Sequence, residues 1–223
     1  MPRTITRSDW IIPTALVLFA LVPVLAGMAR LNDLATGTPT PETARFHASP
    51  LPVAIHIVAA TWFALAGAFQ FSPALRRNRW HRWSGRATVP MGLLAAFSGI
   101  WMTLAYPSAN ADGEAVSLAR LVFGAGMALS LVLGVTTVLK GDISAHKAWM
   151  LRAYAIGMGA GTQVFTHLPW FLLVGQPTEG PRAVMMIGAW VINLMLAEWI
   201  IHRSSEKRRA EPRPTRRAIL KIS

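Results

Sequence analysis

The sequence predicts an all-α integral membrane protein, a bundle of about six transmembrane helices with both termini in the cytoplasm. Three observations carry this. Hydrophobic residues make up 53% of the 223 and charged residues only 14%, against about 25% charged in soluble domains. The apolar residues fall in runs of about 20, the length a ~30 Å hydrocarbon layer requires at 1.5 Å per residue. Lys and Arg are divided unevenly between the segments joining these runs.

Six runs read as spans: Trp10 to Ala29, Leu51 to Ser72, Ala87 to Tyr106, Ser117 to Leu139, Ala148 to Gly175 and Ala183 to Ile201. The first has a signal-peptide look, with Arg3 and Arg7 ahead of it and small residues near Ala26. Its run is longer than a usual h-region of about 7–15 residues, so it is read as a retained helix. All but four of the 22 Lys and Arg lie in the amino-terminal segment, between spans two and three, between four and five or just inside five (Arg152), or after span six. The exceptions are Arg30, Arg45, Arg120 and Arg182. The basic side is therefore expected in the cytoplasm, which for a bacterial chain means the inner membrane. Trp10, Trp80, Trp83, Trp149 and Trp199 fall at that inner interface, and Trp101 and Trp170 near the outer one. Residues 1–202 read as a single bundle with residues 50–175 as its core. Residues 203–223 read as a basic, disordered tail.

Composition also excludes chemistries. With no cysteine, disulfides, zinc–thiolate sites, iron–sulfur clusters and thiol nucleophiles are out. The net charge of +12 would suggest nucleic acid in a soluble protein. Here it sits at span ends, so the lipid bilayer is the expected partner and nucleic acid is not. Gly157-Met158-Gly159-Ala160-Gly161 is mid-span and follows no strand, so it is no phosphate loop. It reads as a close-packing surface, or as a flat face for a planar cofactor.

The histidines are the candidate functional residues. His47 and His202 are read as loop and interface residues. His56 lies about 7–8 Å from the outer end of span two, and His167 about 12 Å from the outer end of span five. Two imidazoles at one depth on different helices suit axial ligation of haem b iron, and Gln163 is placed to orient His167. Each could instead hydrogen-bond a neighbouring helix. His81 and His146 form a second set at the inner interface, with Arg82, Arg86 and Arg152 nearby. Those arginines suit haem propionates, an anionic lipid headgroup or a quinone, and a wetted headgroup contact is the plain alternative. His146 and His167 lie 21 residues apart, about 31 Å along one helix. That places two such sites at opposite faces. Glu198 stands alone near the inner end of span six, with Asn193 five residues before it.

These features leave three functions open. One is a b-type haem protein passing electrons to a membrane redox partner. Another is a lipid- or quinone-binding or transport protein using the inner His/Arg cluster. The third is a non-catalytic subunit of a membrane complex. Whether the chain is an enzyme is left open.

Particular residues carry a resemblance. The run from His56-Ile57 to Gly67–Phe71 is followed by His81-Arg82-Trp83-Ser84-Gly85-Arg86 and then Ser98-Gly99. Gly141-Asp142 precedes His146-Lys147-Ala148-Trp149-Met150-Leu151-Arg152-Ala153-Tyr154. Over roughly residues 50–175 the chain resembles the bacterial predicted-membrane-protein family designated domain of unknown function 2306. The resemblance implies that spans two to five are the core and that His56, His81, His146 and Arg152 are pattern residues. Members often carry Arg about where Gln163 stands, so His167 lies outside the pattern. The family implies no reaction. The layout of histidines in a helical core also looks like di-haem b-type cytochromes, by architecture alone.

Overall fold

The computed structural model describes residues 8–76, 79–107 and 112–210. Arg3, Arg7, Arg77 and residues 211–223 lie outside the described residues. Eight helices are described and no strand: α1 Ser8–Thr36, α2 Ala44–Ala48, α3 Pro50–Gln70, α4 Arg79–Ala105, α5 Glu114–Leu139, α6 Ile143–Gly157, α7 Gly159–Leu173 and α8 Glu179–Ala210. Five of them, α1, α3, α4, α5 and α8, are long and apolar enough to cross a membrane.

The expected fifth span is not one helix. It starts earlier, at Ile143, and is interrupted at Met158, giving α6 and α7 of 15 residues each. Each is about 22 Å long, short of a ~30 Å hydrocarbon layer. The break falls where glycine alternates, and glycine is the weakest ordinary helix former. Met158 leaves helical geometry with ψ near zero (φ −79°, ψ 2°). The space beside the glycines is filled: Phe63 packs on Gly157, the Trp190 ring on Gly159 and Phe19 on Gly161. The polar groups at the break are partnered from α8. Asn193 Nδ2 donates to Ala155 O at 3.0 Å, and Thr162 Oγ1 donates to Asn193 Oδ1 at 2.7 Å. A break inside a bundle persists only when neighbours bond its backbone in this way.

At the other end of the chain α8 runs on through Ala210. Residues 203–210 of the expected disordered tail thus continue the helix.

The helices close into a ring in the order α1, α3, α4, α5, α6, α8, α7 and back to α1, with α3 also touching α6 across the middle. Leu131 and Ala153 are fully buried in the centre, with Phe63, Tyr154, Met127 and Ile156 around them. Small residues let the helices approach. A Cβ on Gly92 would stand 2.7 Å from the Phe63 ring, and one on Gly67 would stand 2.5 Å from that of Tyr154. Close contact through small residues is how helices associate in lipid. Leu18, Leu25, Val58, Phe97, Val122 and Leu196 instead face outward, as expected where the solvent is a lipid tail rather than water.

The end carrying α2 is tied by a buried carboxylate. Asp112, with its side chain 3% exposed, accepts from Arg120 Nη1 at 2.8 Å and from Arg182 Nε at 2.7 Å. Burial alone would raise its pKa. The bonds and charge of the two guanidiniums outweigh that and hold it below the ordinary value. This joins the starts of α5 and α8.

Candidate functional site

The opposite, basic end is built by two connections. Gln70, the last residue of α3, donates from Nε2 to Ser84 Oγ at 2.6 Å, and Ser84 Oγ donates to Trp80 O at 2.7 Å. These bonds hold the first turn of α4 against α3 and place His81 there. The α5–α6 turn is set by Gly141, whose φ of +79° favours glycine. Asp142 then caps α6, accepting from Ala145 N at 2.9 Å. One residue later His146 turns back onto α5 and donates from Nδ1 to Gly134 O at 2.8 Å. The Gly141-Asp142 pair therefore aims the histidine that follows it.

His81 and His146 come together at this end. His81 lies within electrostatic reach of His146, Arg76 and Lys147. It is half-buried, and its Nδ1 is buried without a hydrogen-bond partner. Two hydroxyls, one just past α3 and one on α4, share that condition: Ser72 Oγ, fully buried, and Thr88 Oγ1 on a residue 6% exposed. Arg82, Arg86 and Lys147 are exposed, and they and Arg76 have no carboxylate partner among the described residues. Asp142 is engaged in its cap.

Arg152 stands apart from these free cations. Its Nε donates to Glu198 Oε1 at 2.5 Å and its Nη2 to Glu198 Oε2 at 2.9 Å, while its guanidinium rests 4.6 Å from the Trp149 ring centroid. The arginine expected to meet a ligand instead joins α6 to α8. Glu198, which the sequence left alone, is its partner. A signal for this exists: a carboxylate inside a span must find a cation, and Arg152 is at the same end.

His56 and His167 are directed apart. His56 Nδ1 lies 2.9 Å from Ala95 O and 3.1 Å from Ser98 Oγ, and its ring packs against Gly99 of α4. His167 Nδ1 donates to Gln163 O on its own helix at 2.8 Å and lies 3.2 Å from Thr166 Oγ1. It is the Gln163 carbonyl, not its side-chain amide, that meets His167. Phe63 packs on Gly157, Trp190 on Gly159, Phe19 on Gly161 and Ile100 on Gly124. Among the described residues no group of three or more His, Asp or Glu could hold a metal ion.

An all-helical bundle with long apolar helices and charged ends defines a polytopic membrane protein. A family model described as predicted membrane protein (DUF2306) matches residues 53–201, and the chain belongs to that family. The match covers α3 to α8 and reaches past the expected core to include Glu198. No curated protein and no solved structure matches the chain.

Proposed function

We propose that the protein lies in a bacterial inner membrane with its basic end in the cytoplasm, and that this end binds the anionic headgroup of a lipid between α3, α4 and α6. One observation carries the reading: a buried His81 Nδ1 without a hydrogen-bond partner, set among cations that have no carboxylate partner among the described residues. His81 and His146 both sit in the first turns of their helices, which is headgroup depth. A phosphate there would accept from the imidazole and from Arg82, Arg86 or Lys147. The uncharged ring of a quinone gains less from the same cations.

The test is native mass spectrometry of the full chain in mild detergent, titrated with phosphatidylglycerol and, separately, zwitterionic phosphatidylethanolamine. Preferential retention of phosphatidylglycerol is expected, falling roughly fivefold for each of Arg82→Gln and Arg86→Gln, since a cation near anionic lipid is worth about 1 kcal/mol. Equal retention of the two lipids, unchanged in the variants, would sink the reading.

A second reading rests on the His146 bond to Gly134 O. With Nδ1–H engaged by a carbonyl, Nε2 is left as the electron-pair donor, the arrangement of a metal-bound imidazole. His81 and His146 would then be the axial ligands of haem b, and Arg82 and Arg86 would face its propionates. A dithionite-reduced minus air-oxidised spectrum separates the two. A b-type α band at stoichiometric haem, lost in both His81→Ala and His146→Ala, would replace the headgroup reading. A flat spectrum from folded protein made with ample haem removes the haem reading.

A further inference from the structure

Charge bias leaves four basic residues on the α2 side of the bundle, and the structure collects all of them. Arg45 interacts electrostatically with Asp112, Arg120, Arg30 and Arg182. Three of the four are compensated: Arg30 pairs with Asp33 at 2.8 Å, and Arg120 and Arg182 share Asp112. Among the described residues Arg45 forms no ion pair, and Asp112 acts on it only at longer range. Its Nη1 donates to Pro107 O at 3.0 Å and its guanidinium rests 4.7 Å from the Phe46 centroid, but its Nε is buried without a hydrogen-bond partner. His47, two residues on, has a buried Nε2 in the same condition, 3.6 Å from Asp33 Oδ2. Glu179 packs on Gly113, yet it is not among the groups acting on Arg45.

The surface between α1 and α3 at this end is almost wholly apolar. A groove of about 350 Å³ runs between the end of α1 and the start of α3, lined by Leu31, Leu34, Ala35, Pro50, Leu51 and Ala54. Pro50, on its wall, follows the end of α2 by two residues. Ala54 also borders a second groove, of about 330 Å³, that descends between α3 and α4 past Val58 and Met91. An unpaired cation on α2 near an apolar track between α1 and α3 suits a phospholipid. Free phosphate would leave the track empty, and a neutral hydrophobe would leave the donors unpaired.

We infer that this end is a second lipid site, on the leaflet opposite the first, for an anionic phospholipid whose headgroup meets Arg45 and His47 and whose acyl chain lies in the α1–α3 groove. It does not depend on the His81 end, and the two are read separately.

The experiment uses the full chain in mild detergent, with phosphatidylglycerol, phosphatidylethanolamine and inorganic phosphate as probes and native mass spectrometry as readout. Arg45→Gln is expected to weaken phosphatidylglycerol retention roughly fivefold, and Arg45→Lys to keep most of it. Ala54→Trp fills the groove and leaves every cation in place, so its loss of the same lipid shows that the chain slot matters. The Arg82→Gln, Arg86→Gln double variant removes the other adduct and leaves this one. Wild-type retention in both Arg45→Gln and Ala54→Trp, each checked for helicity by circular dichroism, overturns the inference. So does competition by millimolar inorganic phosphate that is as strong as that of the lipid.

Discussion

Gly67→Ala tests the packing that positions everything else. A Cβ there would stand 2.5 Å from Tyr154 Cε2 and 2.9 Å from Cδ2, where carbon atoms normally approach to about 3.5–4.0 Å. The ring must therefore withdraw by about 1 Å, and it has little room. Its centroid lies 4.9 Å from that of Phe71 and 5.8 Å from that of Phe63, and its hydroxyl donates to Ala64 O at 2.8 Å. Overpacking of this kind costs about 1–3 kcal/mol, and loss of the hydroxyl bond adds about 1 kcal/mol. Replacing a helical glycine by alanine returns about 1 kcal/mol. The net expectation is a destabilisation of about 1–3 kcal/mol, read as a lowered thermal midpoint in detergent. Gly126→Ala is the control, because its Cβ would meet only Ile156 Cδ1 at an ordinary 3.7 Å. It should be neutral or slightly stabilising. In a Tyr154→Phe background, where the hydroxyl bond is already gone, Gly67→Ala should cost about 1 kcal/mol less. A Gly67→Ala protein as stable as Gly126→Ala would refute the reasoning.

Glu198→Gln should destabilise by about 1–2 kcal/mol rather than the 3–5 of a fully buried pair, because the two side chains are 25% and 39% exposed. Replacing both partners, Arg152→Met with Glu198→Leu, should recover much of that loss in the same thermal assay. Asp112 has a lowered folded pKa, so the stability it contributes is present above its ordinary value of 3.8 and is lost as pH falls through the lower folded value. The thermal midpoint should drop on acidification below that point, and Asp112→Asn should show a lower midpoint at neutral pH with a shallower acid slope. Asn193→Leu leaves the Ala155 carbonyl and the Thr162 hydroxyl without their partner at the α6–α7 break, at a cost of about 1–3 kcal/mol. Because the chain has no cysteine, Met158→Cys gives a single probe: buried and slow to react with a maleimide in the parent, faster when Asn193→Leu is added.

The long helices were legible because apolar runs of membrane length have one physical meaning. The break at Met158 was not. The alternating glycines read equally as a packing face, and what turns them into an interruption is Asn193, supplied from another helix. Direction was the other loss. Depth along a helix follows from counting residues, and it placed His56 and His167 at similar levels. Rotation about the helix axis depends on neighbours. Ala95 O and Ser98 turn His56 toward α4, and the Gln163 carbonyl keeps His167 on α7. The Arg152–Glu198 pair spans 46 positions, so no local pattern could reveal it.

The interior polar groups argue for where function resides. His56 bonds to Ala95 O, Tyr154 to Ala64 O, Thr166 to Met185 O and Asn193 to Ala155 O, each reaching from one helix to the backbone of another. A polar side chain used in this way ties helices together in a medium that offers no other partner. Groups already paired have little capacity left for a solute crossing the bundle. Among the described residues, the buried nitrogens without a hydrogen-bond partner that lie near unpaired cations are Arg45 Nε at one end and His81 Nδ1 at the other. Arg45 is on α2 and His81 on α4, and both helices contact α3.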